Sequence, residues 1–283
     1  MRLLGFLDGD AATIGVVRGD RVVPLAPVDD FYDDVPGWLG RAATASQEGG
    51  RPLAAVSLVP PVPVTAKVLC AGLNYASHAA ETGARVPDHP DLFARWAATL
   101  VPAGTPVPVP ATEPGLDWEV ELAVVVGAPL VDVTPEQVPA GVLGYTVFND
   151  LSARAHQRSS RQWALGKNSD NSGPVGSMVV TADSLDAGSL HLETRVNGEV
   201  MQSGTTADMI FPVPEILAYA SRTVTLRPGD LIATGTPPGV GFARTHPRYL
   251  TQGDVVEVEV EGIGAVSNPI VDSSHRGWRP GRR

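Results

Sequence analysis

Ten residues near the middle of the chain constrain its fold most: Asp117-Trp118-Glu119-Val120-Glu121-Leu122-Ala123-Val124-Val125-Val126. In an extended strand, residues two apart point to the same face. Asp117, Glu119 and Glu121 therefore share a face, with neighbouring Cα atoms roughly 7 Å apart. The residues that follow are apolar on both faces, which carries the strand into the interior. Such a chain must build its core from strands and bring carboxylates to the edge of that core. Carboxylates so placed repel one another unless water or a cation separates them, and burying them unpaired is costly. Two arrangements meet these conditions, a solvated edge-strand face or a cation held by oxygen ligands. With no His or Cys beside them, the oxygen set favours Mg²⁺, Mn²⁺ or Ca²⁺ over zinc.

Strand signals dominate elsewhere too. Leu3 to Leu7, Thr13 to Val17 and Arg21 to Leu25 are short strand candidates separated by Asp8-Gly9-Asp10 and Gly19-Asp20 turns. They make residues 1–60 a small β-rich domain, closed by the stiff segment Pro60-Pro61-Val62-Pro63. Strands are then expected at Lys67 to Ala71, Glu119 to Gly127, Leu143 to Phe148 and Ser177 to Thr181. Others follow at Leu190 to Val196, Leu231 to Ala233 and Val255 to Glu261. Asn197-Gly198 is a strong hairpin signal, and from Val256 onward the last strand alternates strictly, as a strand wet on one face does. Helical stretches are few, the best at Asp150 to Trp163 and the next at Pro214 to Arg222. No regular βαβ alternation and no glycine-rich phosphate fingerprint occurs. The fold class is mostly β with few helices (α+β), a rolled sheet or sandwich. The second domain spans 61–271, and 272–283 form a flexible Arg-, Gly- and Pro-rich tail.

A chain of 283 residues buries a core large enough to fold without a disulfide or structural metal. Its single cysteine, Cys70, cannot form an intrachain bridge, and its apolar flanks describe an inert strand end. A net charge of −10 excludes the phosphate backbone of a nucleic acid as an expected partner. No apolar run approaches the ~20 residues of a membrane span, and the apolar stretch after Met1 is too short for a signal peptide. A soluble, cytoplasmic protein is expected.

A further carboxylate, Asp150, ends a strand and opens a helix, where alone it reads as an N-cap. Taken with other segments it carries a resemblance. Gly72-Leu73-Asn74-Tyr75-Ala76-Ser77-His78-Ala79-Ala80-Glu81, the acidic strand, and Gly144-Tyr145-Thr146-Val147-Phe148-Asn149-Asp150-Leu151-Ser152-Ala153-Arg154 come in that order. Gln162-Trp163-Ala164-Leu165-Gly166-Lys167, Val196-Asn197-Gly198-Glu199, Asp208-Met209-Ile210-Phe211 and Pro228-Gly229-Asp230-Leu231-Ile232-Ala233-Thr234-Gly235-Thr236-Pro237 follow. Over residues 67 to about 262 the chain resembles the fumarylacetoacetate hydrolase family, in its short bacterial acylpyruvate-hydrolase-like branch.

The resemblance implies a mixed β-roll or sandwich around a Mg²⁺ or Mn²⁺ site, in a homodimer. It places the metal carboxylates on Glu119, Glu121 and Asp150, with Asp117 behind them. It places a general-base dyad on His78 and Glu81, three apart and so on one face of a helical turn; Glu81 would fix the imidazole tautomer and raise its basicity. Gly72 and Gly83 bracket that segment as a lid would require. Lys167 would stabilise charge on substrate oxygen, and Arg154, Gln157 and Thr236 would contact substrate, Arg154 as a bidentate carboxylate donor.

Two departures bear on specificity. Where the family commonly has Phe-x-Lys-Pro, this chain has Phe93-Ala94-Arg95-Trp96, and Lys167-Asn168-Ser169-Asp170 lacks the phenylalanine usual two residues after the lysine. Both should reshape the far end of the pocket. The implied reaction is hydrolytic C–C cleavage of a small 1,3-dicarbonyl acid of the acylpyruvate or fumarylacetoacetate kind. The alternatives are decarboxylation of an oxaloacetate-type 2-oxo acid or isomerisation of an unsaturated one, which need the same enolate stabilisation. A different class is a non-catalytic accessory protein that binds a chelating metabolite.

Overall fold

The structure, a computed structural model, describes residues 1–275, so most of the expected tail at 272–283 lies outside the described residues. A ten-stranded sheet is its frame. Its order runs Arg51–Pro52, Arg21–Pro27, Ala11–Arg18, Arg2–Asp8, Met178–Thr181, Val142–Asn149, Val120–Val126, Leu231–Ala233, Lys67–Gly72, Asp91–Trp96. A five-stranded sheet, ordered Glu199–Thr205, His191–Val196, Val255–Val260, Gly264–Val271 and Val107–Pro108, packs against it. Among the described residues, no helix is long and apolar enough to cross a membrane.

The strand Val120–Val126 lies deep in the large sheet and is buried at every position. Its two faces feed different cores. Val120, Leu122, Val124 and Val126 pack with Leu192, Val258, Val260 and Val266 of the smaller sheet. Ala123 and Val125 pack instead with Leu3, Ile14, Val16, Val68 and Cys70. Two-sided burial explains the continuous apolar run, and the period of two sends Glu119 and Glu121 to the second face.

The N-terminal strands continue the same sheet, Leu3 pairing with Val179. Tyr32 donates its hydroxyl hydrogen to the Pro61 carbonyl at 2.6 Å, and Val62 is buried. Two helices, Val28–Asp33 and Val35–Thr44, add to the strands expected in this part. Asp34 caps the second by accepting from Gly37 N. They escape notice in the sequence because they are short, interrupted by Pro36 and Gly37, and bury Phe31, Tyr32 and Val35 without a long periodic stripe.

Most other strand expectations hold to within a residue or two. The Asn197-Gly198 turn joins its hairpin with both residues at positive φ, and Val255–Val260 alternates between buried and half-exposed. One helix expectation needs correction. Asp150 does not open a helix; the helical segments are Arg154–Ser159 and Ala164–Lys167. Residues 150–152 stay extended because they pair with the acidic segment: Asp150 N donates to Glu119 O, and Asp117 and Ser152 exchange two backbone hydrogen bonds. The ladder satisfies backbone groups that a cap would otherwise have to serve.

Candidate active site

Strand register assembles the site. Phe148 pairs with Glu121 and Asn149 with Val120, so Asp150 emerges beside the start of the central strand. On its other side Ala233 pairs with Ala123, which carries Thr234-Gly235-Thr236 past Glu121. Cys70 pairs with Ala233 and Phe93 with Cys70, bringing Gly72 and Arg95 to the same end of the sheet. Five adjacent strands thus deliver residues far apart in sequence to one cavity of about 420 Å³.

Glu119, Glu121 and Asp150 offer carboxylate oxygens that all lie within 4.8 Å of one another, and all three are buried. Asp117 does not join them. It is fully buried and accepts from Gly241 N at 2.6 Å, Phe242 N at 3.1 Å and Arg154 Nε at 2.8 Å, so it fixes the loop and the arginine behind the site. Strand structure lapses at Trp118 and Glu119, between the Asp117–Ser152 bridge and the strand from Val120, and the side-chain alternation does not carry across that break to Asp117.

Buried cations compensate two of the three carboxylates. Lys167 Nζ donates to Glu119 Oε2 at 2.7 Å and to Asp150 Oδ2 at 2.6 Å. Arg154 Nη2 donates to Glu119 Oε1 at 2.5 Å and Nη1 to Gln157 Oε1 at 2.8 Å. Burial alone would raise Glu119, but Lys167 and Arg154 overcome it and hold the carboxyl well below the usual range. Burial would likewise lower Lys167, yet Asp150 and Glu119 keep it above its ordinary value. Glu121 differs. Burial, then Asp150 and Glu119, push it well above the ordinary glutamate value, against a smaller opposing pull from Lys167 and the Gly235 amide. Gly235 N donates to Glu121 Oε2 at 2.8 Å from a residue at φ +94°, where an added Cβ would lie 2.8 Å from Asn74 Cβ.

These residues suit a hard divalent cation. The donors are all carboxylate oxygens, converge within a few ångströms, and include one ionisable group that no side-chain cation pairs directly. Glu119, Glu121 and Asp150, which the resemblance implies as the metal carboxylates, are the three that converge.

His78 and Glu81 lie on the helix Ala76–Thr82, with Nδ1 2.8 Å from Glu81 Oε1. Glu81 also accepts from Gly239 N at 3.1 and 2.9 Å, tying this helix to the loop after Thr236. Asn74 anchors the segment before it, donating to Phe211 O and Thr234 O. His78, Lys167, Arg154, Gln157 and Thr236 all line the cavity that holds the carboxylates. Two of the residues expected to contact substrate have their polar groups engaged by the protein itself. The Thr236 hydroxyl donates to Val120 O and accepts from Gln202 Nε2, while the Arg154 guanidinium serves Asp117, Glu119 and Gln157.

Sequence reasoning missed the part played by Arg95. Buried under the site, it pairs through Nη1 with Asp150 and donates through Nη2 to Ser172 Oγ at 2.7 Å. Its position in the altered Phe-x-Lys-Pro stretch was the available signal, because a cation stands there in either pattern. Trp96 is 54% exposed and does not line the cavity, whereas Phe93 and Trp163 do. Glu113 was also missed: it accepts from Ala155 N and His156 N, capping the helix Arg154–Ser159 from forty residues away in sequence. Cys70 is buried, and burial pushes its thiol well above the ordinary value, in keeping with an inert role.

Comparison with known proteins agrees with this geometry. Residues 67–271 match the model of the fumarylacetoacetate (FAA) hydrolase C-terminal family. Oxaloacetate tautomerase FAHD2A, a mitochondrial protein of Bos taurus, is 42% identical over 275 residues, covering 95% of this chain and 87% of that protein. The structure of fumarylacetoacetate hydrolase from psychrophilic Exiguobacterium antarcticum superposes with a TM-score of 0.84 at 34% identity, over 96% of this chain and 99% of that one. That of maleylpyruvate hydrolase from Sphingobium sp. SYK-6, in complex with manganese(II) and pyruvate, gives 0.80 at 30% identity over 96% and 99%. The carboxylate cluster, the strand order that assembles it and these matches lead to one conclusion: the chain belongs to the fumarylacetoacetate hydrolase family.

Proposed function

We propose that this protein is an enzyme dependent on Mg²⁺ or Mn²⁺ that moves a proton at the carbon beside the 2-oxo group of a short 2-oxo acid. Its net reaction on this reading is keto–enol tautomerisation. The observation that carries the reading is His78, which lines the same cavity as the carboxylate cluster and is held 2.8 Å from Glu81. With Nδ1–H donating to Glu81, Nε2 is the free basic nitrogen. Glu81 is itself fixed by the Gly239 amide, so the imidazole keeps one tautomer and orientation through the reaction. His78 takes a proton from the substrate carbon and returns one to the oxygen, so the protein's protonation state is restored.

Glu119, Glu121 and Asp150 would hold the divalent ion, which when bound supplies positive charge beside the substrate oxygens and stabilises an enolate. Lys167 remains charged against Glu119 and Asp150, and its remaining N–H is a donor beside that negative charge. Gln157 accepts from Arg154, which leaves its amide NH₂ available to the acid in the cavity it lines.

A second reading is hydrolytic C–C cleavage of a 1,3-dicarbonyl acid, favoured by the hydrolases among the related structures. Here Nε2 takes the proton from water, the hydroxyl oxygen adds to the distal carbonyl and the C–C bond breaks. The departing carbon becomes an enolate that takes the proton back.

Protein with MnCl₂ should be given enol-oxaloacetate and, separately, acetylpyruvate, following enol and dione absorbance together with CO₂ release. EDTA-sensitive acceleration of enol decay without CO₂ supports the tautomerase. Loss of the dione supports the hydrolase, and CO₂ from oxaloacetate supports a decarboxylase. Silence towards a panel of 2-oxo acids would sink all three and leave a binding protein.

A further inference from the structure

We propose that Arg158, held against Phe242 in the same cavity, is the residue that selects acids with a second carboxylate by reading that distal group. This rests on the reading of the site as one for a 2-oxo acid. The positive groups around the cavity differ in what they are free to do. Lys167 gives two of its three N–H groups to Glu119 and Asp150, while Arg154 serves Asp117, Glu119 and Gln157, and Arg95 serves Asp150 and Ser172. Arg158 lines the cavity, is exposed, and makes no hydrogen bond or ion pair among the described residues.

It packs on the Phe242 ring, whose centroid lies 4.5 Å from Arg158 Cζ and also 4.5 Å from Arg154 Cζ. Packing a guanidinium on an aromatic ring holds its plane while leaving its N–H edge free, so less rotamer freedom is lost when an anion binds. The ring is held in turn, because Phe242 N donates to Asp117.

The spacing suits a short dicarboxylate. Arg154 and Arg158 are four apart on the helix Arg154–Ser159, with Cβ atoms about 6 Å apart on one face. Arg154 touches Glu119 and so marks the end of the cavity where the 2-oxo head would sit. Arg158 stands one turn away, within reach of a carboxylate a few carbons along the chain. The acid's distal charge would meet a planar two-pronged donor there. A free cation at this place also counters the repulsion that a chain of net charge −10 exerts on a dianion.

The test uses Mn²⁺-loaded protein and two acids of equal backbone length, 2-oxoglutarate and 2-oxopentanoate, with affinities from calorimetry. Wild type should bind the dicarboxylate about tenfold more tightly. Arg158→Gln should remove that preference while leaving 2-oxopentanoate binding unchanged, and Arg158→Lys should restore part of it. A preference that survives in Arg158→Gln overturns the assignment, as does an equal loss for both acids, which would mean a structural role. If wild type binds neither acid, the 2-oxo-acid reading itself fails and this inference falls with it.

Discussion

Glu121→Gln separates the two demands on the carboxylate cluster, stability of the metal-free fold and affinity for a cation. Two carboxylates with oxygens no more than 4.8 Å apart repel by about 3.5 kcal/mol or more at an effective dielectric constant near 20. Glu121 faces Asp150 and Glu119, and Lys167 offsets part of that repulsion. With Lys167 cancelling most of the two repulsions, we expect a net cost on the order of 2 kcal/mol when Glu121 is ionised in metal-free protein. Glutamine removes this charge and keeps a carbonyl oxygen for the Gly235 amide. In EDTA the variant should melt about 4–6 °C above wild type, since about 1 kcal/mol moves a protein of this size by 2–4 °C or slightly less.

The gap depends on pH with a definite sign. The folded-state value of Glu121 lies above its ordinary 4.5, so the protonated form supports the metal-free fold fully below that ordinary value. This support is lost as pH rises through the raised folded value, and the advantage of glutamine widens in the same direction. Manganese should reverse the ranking. At a hundred times its Kd the ion stabilises wild type by about 2.7 kcal/mol, but by less than about 0.5 kcal/mol a variant that binds a hundredfold more weakly. Thermal melts in EDTA and in MnCl₂, at acidic and alkaline pH, supply the whole comparison. A variant less stable than wild type in EDTA, with an undiminished response to Mn²⁺, would refute the reasoning.

His78→Ala should lower turnover by about 10²–10⁴-fold while Mn²⁺ affinity stays unchanged in calorimetry; a joint loss would contradict the separation of base from metal site. Arg95→Leu leaves Asp150 without one of its two buried cationic partners, and a urea midpoint reporting about 3–5 kcal/mol of destabilisation is expected in EDTA. A wild-type midpoint would show that Lys167 alone suffices. Asp254 is a pH-dependent tie at the hairpin: burial would raise it, but the Thr251 amide and hydroxyl and the Asn197 amide lower it. Its contribution is present above the ordinary value of 3.8 and lost as pH falls through the lower folded value. Asp254→Asn should therefore cost at most about 1 kcal/mol near neutrality, and the difference in melting temperature should close in acid.

What was legible along the chain was local or had a strict period. The apolar run Leu122 to Val126 required two-sided burial, and Asn197-Gly198 required a tight turn. Val255–Val260 required one wet face. The family motifs singled out His78, Lys167 and three carboxylates, and these line one cavity, with Glu81 bonded to His78 beside it. The short helices Val28–Asp33 and Val35–Thr44 carried too few residues for a periodic signal to emerge.

Asp150 shows the limit of local reading. At the end of a strand and shortly before a helix it fits an N-cap, and no neighbour in sequence speaks against that. Its extended backbone follows from pairing with residues 117–119, and its side-chain partners are Arg95 and Lys167. Asp117 shares the spacing of Glu119 and Glu121 yet turns to the Gly241 and Phe242 amides. From its residues alone the chain determined a strand-built core, an oxygen-rich acidic centre and a histidine–glutamate pair. Only tertiary structure decided which acids meet, which cations they consume and that Arg158 stays free, because those pairings depend on register between strands brought together from distant parts of the chain.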